Sequence, residues 1–153
     1  MKFARLVPIF LAATCFAQTP PVVTNGQLIE VANHYRAVWP KVFGQPIKFR
    51  SFPFAKEIAK PATGTNILWV MNDLASAAKP FFVVAQPKST SKPWLAKTSD
   101  EIKFLSKWGM LPDADLRSLN SAKTIDQKKL GTMFGKMLSR VCELTAKIIK
   151  KQD

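Results

Sequence analysis

Apolar positions along the chain gather into four stretches with helical spacing, separated by breaks rich in proline, glycine and polar residues. The first opens on Thr24-Asn25-Gly26-Gln27, a capping-box spacing in which the Thr hydroxyl and the Gln side chain satisfy free amides at a helix start. Leu28, Val31, Ala32, Tyr35 and Val38 then share one face, and Pro40 is expected to stop the helix. A second helix is predicted over Gly64–Ala78, with Thr63 as its N-cap, Ile67, Leu68, Met71, Leu74, Ala75 and Ala78 inward, and Pro80 ending it. Thr98-Ser99-Asp100-Glu101 forms another capping box whose acids complement the helix dipole. Ile102, Leu105 and Trp108 follow as an apolar stripe, and Gly109 supplies a left-handed cap. Finally Asp126 caps a long helix running to about Lys150, with Leu130, Met133, Phe134, Met137, Leu138, Val141, Cys142, Thr145 and Ile148 inward.

Between these stretches the pattern is less regular. Pro46 to Phe54 alternates imperfectly, Ile47 and Phe49 against Lys48 and Arg50, which reads as a short edge strand or an extended loop. Phe81 to Ala85 is an apolar run of strand length or a buried extended connector, and Asp113 to Leu119 is a short turn or helix. Gln86–Pro93 is polar and bounded by proline, a loop that splits the body into lobes 24–85 and 94–153. The predicted class is mainly α, a single helical domain over 24–153 built of helical pairs with one or two short extended segments.

The N-terminus changes the setting of that domain. Residues 1–17 combine Lys2 and Arg5, an apolar body over Leu6–Ala13 and small residues ending at Ala17, the order expected of a cleaved secretory signal. The apolar body is shorter than the roughly 20 residues that a membrane span needs. Residues 18–23, with Pro20 and Pro21, read as a tether. The expectation is export to a periplasm or cell envelope, or secretion. Cleavage would remove Cys15 and leave Cys142 alone, so no internal disulfide is available, and Cys142 is expected to act as a small buried hydrophobe. Thr14 directly before Cys15 matches a lipid-attachment signal poorly.

Charge points to partners. Of 23 basic residues two leave with the signal, and 21 against 10 acidic residues leave a net charge of +11. Lysine dominates, which favours diffuse attraction to polyanions over bidentate readout. The outer face of the last helix gathers Lys128, Lys129, Lys136, Arg140 and Lys147, the candidate polyanion-binding residues, with Trp94 as a stacking residue or core anchor. Anionic wall polymer or an anionic membrane surface is the expected partner. A protein partner is the alternative, with the charge then serving solubility. Aromatics interleaved with cations over residues 46–54 suit single-stranded nucleic acid chemically, but export argues against nucleic acid as a cognate partner.

Catalysis finds little support. His34 is the only histidine, and its place on the first helix fits packing better than proton transfer. Glu57 with Asp73, or Asp113 with Asp115, could supply acid and base only if they converge in space. No spacing fits a zinc site, and no glycine-rich loop cradles phosphate, so neither metal nor cofactor is expected.

Trp94, the run Asp100–Leu111 and the helix behind Thr124-Ile125-Asp126 together resemble an S-layer homology repeat. On that template Trp94 stands as the leading aromatic, Ile102 and Leu105 as first-helix core, Gly109 as the turn glycine and Met110-Leu111 as the aliphatic pair. Ile125 and Asp126 open the second helix, with Leu130, Met133, Phe134 and Met137 as its core. A looser copy lies upstream, where Thr63 precedes Ile67, Met71 and Leu74 as Asp126 precedes Leu130, Phe134 and Met137. The resemblance implies noncovalent attachment to the cell envelope. The Arg and Glu with which such repeats read their ligand are replaced by Gln127 and Lys129 downstream and by Gly64 and Asn66 upstream. Scaffold and general charge attraction are therefore what the resemblance carries over.

Overall fold

A computed structural model describes residues 21–85 and 92–149, with the side chains of 146–149 left aside. Among these residues the chain is mainly helical and no strand forms. Five α-helices follow one another: α1 (Asn25–Phe43), α2 (Gly64–Ala78), α3 (Asp100–Lys107), α4 (Asp113–Ser121) and α5 (Gln127–Ile149), with short 3-10 turns at Lys79–Phe81 and Pro93–Lys97. The signal expected over 1–17 and most of the Gln86–Pro93 loop lie outside the described residues.

Local capping chemistry sets most of the boundaries. Thr24 and Gln27 form both bonds of the capping box at α1, 3.2 and 3.0 Å. Thr63 accepts from the Asn66 amide at α2, 3.2 Å, and Asp126 Oδ1 accepts from the Lys129 amide at α5, 2.7 Å. At α3 the cap is Ser99, accepting from Ile102 N–H; Thr98, the cap that the spacing suggested, instead donates its hydroxyl to Leu95 C=O, 2.8 Å, within the preceding turn. Gly109 adopts φ 66°, the left-handed conformation that closes α3 without a Cβ penalty.

Helix α2 organises the rest. Ten of its residues are buried around its circumference, Gly64, Ile67, Leu68, Val70, Met71, Asn72, Asp73, Leu74, Ala75 and Ala78. A helix apolar on nearly every side must be enclosed by others, and α2 packs against α1, α3, α4 and α5. One core cluster therefore joins residues on both sides of the Gln86–Pro93 loop, from Leu28 and Trp39 to Leu105, Leu119 and Met137. Trp39 Nε1 donates to Leu74 C=O, 2.9 Å, fastening α1 along α2.

The tightest contact is at Gly64. Its N–H donates to Ala122 C=O, 2.9 Å, just beyond α4, so the electropositive start of α2 faces the carbonyl-rich end of α4. A Cβ at Gly64 would lie 1.6 Å from Leu119 O and 2.6 Å from Leu119 C, both backbone atoms. A second junction forms where Val23 donates to Ile125 C=O and accepts from Ala62 N–H, both 2.8 Å. Val23 is only 1% exposed, so the end of the expected tether is part of the core, held by backbone pairing on both sides.

Three other expectations are corrected. Helix α1 continues through Pro40 to Phe43 and ends at Gly44, φ 67°. Pro40 sits in the final turn, where its ring removes a single helical hydrogen bond, and Phe43 stacks on Phe81 at 4.4 Å to hold that turn down. Phe81–Ala85 is neither a strand nor buried: Val83 and Val84 are exposed, and Val83 N–H reaches Leu144 C=O at 2.8 Å. Cys142 is exposed, and Leu144 takes the core position instead, because α5 turns its Met137–Val141–Leu144 edge inward. The segment 46–54 is an extended loop, and Asp113–Ser121 is helical.

Replacing Gly64 by Ala forces α2 away from α4 and is expected to destabilise the fold by about 3 kcal/mol or more. Gly131→Ala, whose Cβ would meet nothing within 4 Å, should match or exceed wild type, since Ala gains roughly 1 kcal/mol over Gly inside a helix. Denaturant unfolding of the two variants measures the contrast.

Candidate functional site

The cations of α5 do not form one free face. Lys129 Nζ donates to Ser118 Oγ, 2.6 Å, and Lys136 Nζ pairs with Asp115 Oδ2, 2.7 Å, both partners being on α4. Arg140 reaches the turn after α3, its Nε donating to Trp108 C=O at 2.9 Å while Nη1 pairs with Glu143, 2.9 Å. These three side chains occupy the flank of α5 nearest its neighbours and tie it to α4 and to the end of α3. Around Lys136 and Arg140 lies an open groove of about 680 Å³ whose rim also carries Gly109, Ser139 and Glu143. Lys128 is exposed on another side of the helix, and the Lys147 side chain lies outside the described residues.

Trp94, second residue of the Pro93–Lys97 turn, is half-buried against the core, with the Arg117 guanidinium 4.7 Å from its ring centroid. Its Nε1 is buried and has no hydrogen-bond partner among the described residues. The structure thus places Trp94 beside Arg117 of α4.

The free positive charge is distributed more widely. Lys41, Lys48, Lys56, Lys79, Lys97, Lys103, Lys107, Lys123 and Lys128 are exposed, and none lies within ion-pair distance of a carboxylate among the described residues. Lys103 and Lys107 follow one another at the i, i+4 spacing that shares a helix face, and Lys79 Nζ approaches the Phe104 ring between them, 6.0 Å from its centroid.

A cluster that sequence reasoning missed lies between α1, the 46–54 loop and α2. Asp73, 6% exposed, receives Arg36 Nη2 at 2.7 Å and Arg50 Nε at 3.3 Å. The Arg36 guanidinium stands 3.9 Å from the Phe52 ring centroid and 5.1 Å from that of Phe49, and its Nη2 also donates to Arg50 C=O. Arg50 in turn lies over Trp69 at 4.8 Å. Phe49, Phe52 and Arg50 of this loop are thereby engaged within the molecule, Arg36 and Arg50 each held against aromatic rings by their quadrupoles, while Lys48 stays exposed. One signal was available beforehand: a carboxylate at Asp73 on an otherwise apolar helix requires a buried partner.

The carboxylates considered for acid and base work are similarly engaged. Glu57 pairs with Lys60, Asp113 with Lys92 and Asp115 with Lys136. His34 is exposed on α1, its ring edge-on to Tyr35 with centroids 5.4 Å apart. Among the described residues no helix is long and apolar enough to cross a membrane.

Asp73→Ala would leave two guanidiniums without their shared anion, and a loss of about 3 to 5 kcal/mol is expected. Glu57→Ala, which breaks a surface pair, should change stability by less than about 1 kcal/mol. Thermal or urea unfolding of both variants compares them.

No family model matches the chain, and neither a characterised protein nor a solved structure resembles it closely enough to count as a match.

Proposed function

We propose that the chain is an exported, non-catalytic module that attaches to an anionic surface of the cell envelope, either a wall polymer or the membrane face. The observation that carries this reading is the set of exposed lysines with no carboxylate partner among the described residues, spread from Lys41 on α1 to Lys128 on α5. Opposite charges satisfied within the fold sit largely at seams between helices, so the uncompensated charge is left facing solvent. Lysine on flexible stems suits attraction to a dense anionic surface, where position matters less than number.

The resemblance to S-layer homology repeats, with helical pairs over Trp94–Ile149 and more loosely over Thr24–Ala78, points to the same envelope setting. Lys129, at one of the positions where those repeats read their ligand, is turned to Ser118, and Gln127 begins α5 beside Pro21. Recognition here accordingly rests on charge. The protein-partner alternative draws on the exposed apolar side chains of Val42, Val83 and Val84.

Vesicles containing phosphatidylglycerol, and a soluble wall polyphosphate, should retain the protein at low ionic strength. Release is expected as salt rises from about 0.1 M to 1 M and the screening length falls from roughly 10 to 3 Å. Lys103→Gln with Lys107→Gln should weaken vesicle binding by about fivefold per lysine, following roughly 1 kcal/mol for each cation near an anionic membrane. Indifference to both materials, or retention insensitive to salt, rejects the reading and favours a protein partner.

A further inference from the structure

We propose that the corner where the end of α1 meets the segment after α2 inserts its valines into the acyl boundary of an anionic phospholipid bilayer. The proposal rests on envelope attachment and names its surface as the membrane face rather than a wall polymer. Three exposed valines belong to this corner, Val42 in the last turn of α1 and Val83 with Val84 beyond the Lys79–Phe81 turn. Phe43 stacks on Phe81 with centroids 4.4 Å apart, which sets the two valine-bearing segments side by side. Val83 N–H is held by Leu144 C=O at 2.8 Å, so the protruding pair stands on backbone anchored to α5. The other exposed large apolar side chains among the described residues are Val22 and Ile58. They sit at the opposite end of α1, about 25 Å away by helical rise.

Lysines frame the valines. Lys41 directly precedes Val42, and Lys79 opens the turn that leads to Val83; both are exposed, with no carboxylate partner among the described residues. The segment then runs beside α3, Lys79 Nζ lying 6.0 Å from the Phe104 ring centroid and Phe82 meeting Trp108 edge-on at 4.9 Å. Lys103 and Lys107 directly precede those two rings, and they too are exposed. Acids stand back from this track. Asp100 and Glu101 open α3, whereas the segment leads from Phe104 towards Trp108, away from them. Glu143, beside Leu144, is paired with Arg140 at 2.9 Å.

An apolar centre framed by cations matches the layering of a bilayer surface. Valines gain by leaving water for the acyl boundary, while lysine ammonium groups on long stems stay among the phosphates. A wall polymer offers the lysines the same attraction but gives the valines nothing to bury against. A protein partner fits less well, since the centres of protein interfaces are depleted in lysine and enriched in aromatic residues and arginine. The apolar trough between α1 and α5, about 430 Å³, lacks this frame: Glu30 is the one charged residue that lines it.

Val42→Ser, Val83→Ser and Val84→Ser, combined in the full chain, remove the apolar centre without changing the charge. Affinity for phosphatidylglycerol vesicles should fall by about tenfold, as partial burial of three valines implies, while affinity for soluble polyphosphate and the helical circular dichroism stay as they were. A nitrobenzoxadiazole label at Val84→Cys, in a chain carrying Cys15→Ser and Cys142→Ser, should shift to shorter wavelength on those vesicles. The same label at Ile58→Cys should not. Unchanged vesicle affinity in the triple variant, an equal loss of polyphosphate binding, or a label at position 84 that stays solvent-like on bound vesicles each overturns the proposal. So does dimerisation of the unmutated chain without lipid that the three serines abolish, which would identify a second copy as the occupant. Retention by polyphosphate but not by vesicles rejects the membrane face and leaves envelope attachment standing, whereas indifference to both materials rejects attachment itself.

Discussion

Helix α2 imposes its needs on every other element, because burying a helix on nearly all sides demands cover in every direction and a partner for each polar group it carries inward. Apolar cover comes from four helices, with Gly64 allowing the backbones of α2 and α4 to meet at a separation no other side chain permits. Polar cover is more exacting. Asp73 is buried within α2, and an isolated carboxylate there would be strongly unfavourable. Arg36 of α1 and Arg50 of the 46–54 loop answer it, and the rings of Phe49, Phe52 and Trp69 then hold those guanidiniums in place. A long irregular loop is thus ordered by one charge on a helix it does not belong to.

The same logic divides the positive charge into two populations. Cations at the seams, Arg36, Lys92, Lys136 and Arg140 among them, have carboxylate or carbonyl partners on neighbouring elements. Since the chain holds 23 basic residues against 10 acidic ones, even complete internal pairing would leave a surplus of cations. The remainder must face solvent. Exposed lysines are therefore a consequence of composition and packing acting together, and attraction to anionic surfaces follows from the surplus without a specific pocket.

What could be read along the chain was what is decided within one turn of it. Thr24, Thr63 and Asp126 cap the helices expected of them, and Gly109 turns left-handed, because each of these choices depends on neighbours three or four residues away. Pro40 looked like a terminator by the same local reasoning, yet Trp39 and Phe43 gain enough from Leu74 and Phe81 to carry α1 past it. Cys142 and Leu144 exchanged roles because both lie near the edge of the apolar stripe, where the rotation of α5 against α2 decides between them. For the candidate site the residue types on α5 were legible, but their partners Ser118, Asp115 and Trp108 lie 11 to 32 residues away. No periodicity in α5 itself records that Lys129, Lys136 and Arg140 would be drawn sideways.

The trough between α1 and α5 arises from a similarly nonlocal cause. Each helix has an apolar stripe wider than its contact with α2 can cover, so Val31, Tyr35 and Leu138 remain only partly buried. Large side chains at Gly131 and Gly135 would have closed the gap, and Cβ atoms at both positions would have met no obstacle. Glycine inside an exposed helix lowers stability by roughly 1 kcal/mol relative to alanine. At Gly64 that loss is offset by a close helix contact, whereas Gly131 and Gly135 obtain no such contact within the fold. An open apolar channel is what this pair of glycines leaves between α1 and α5.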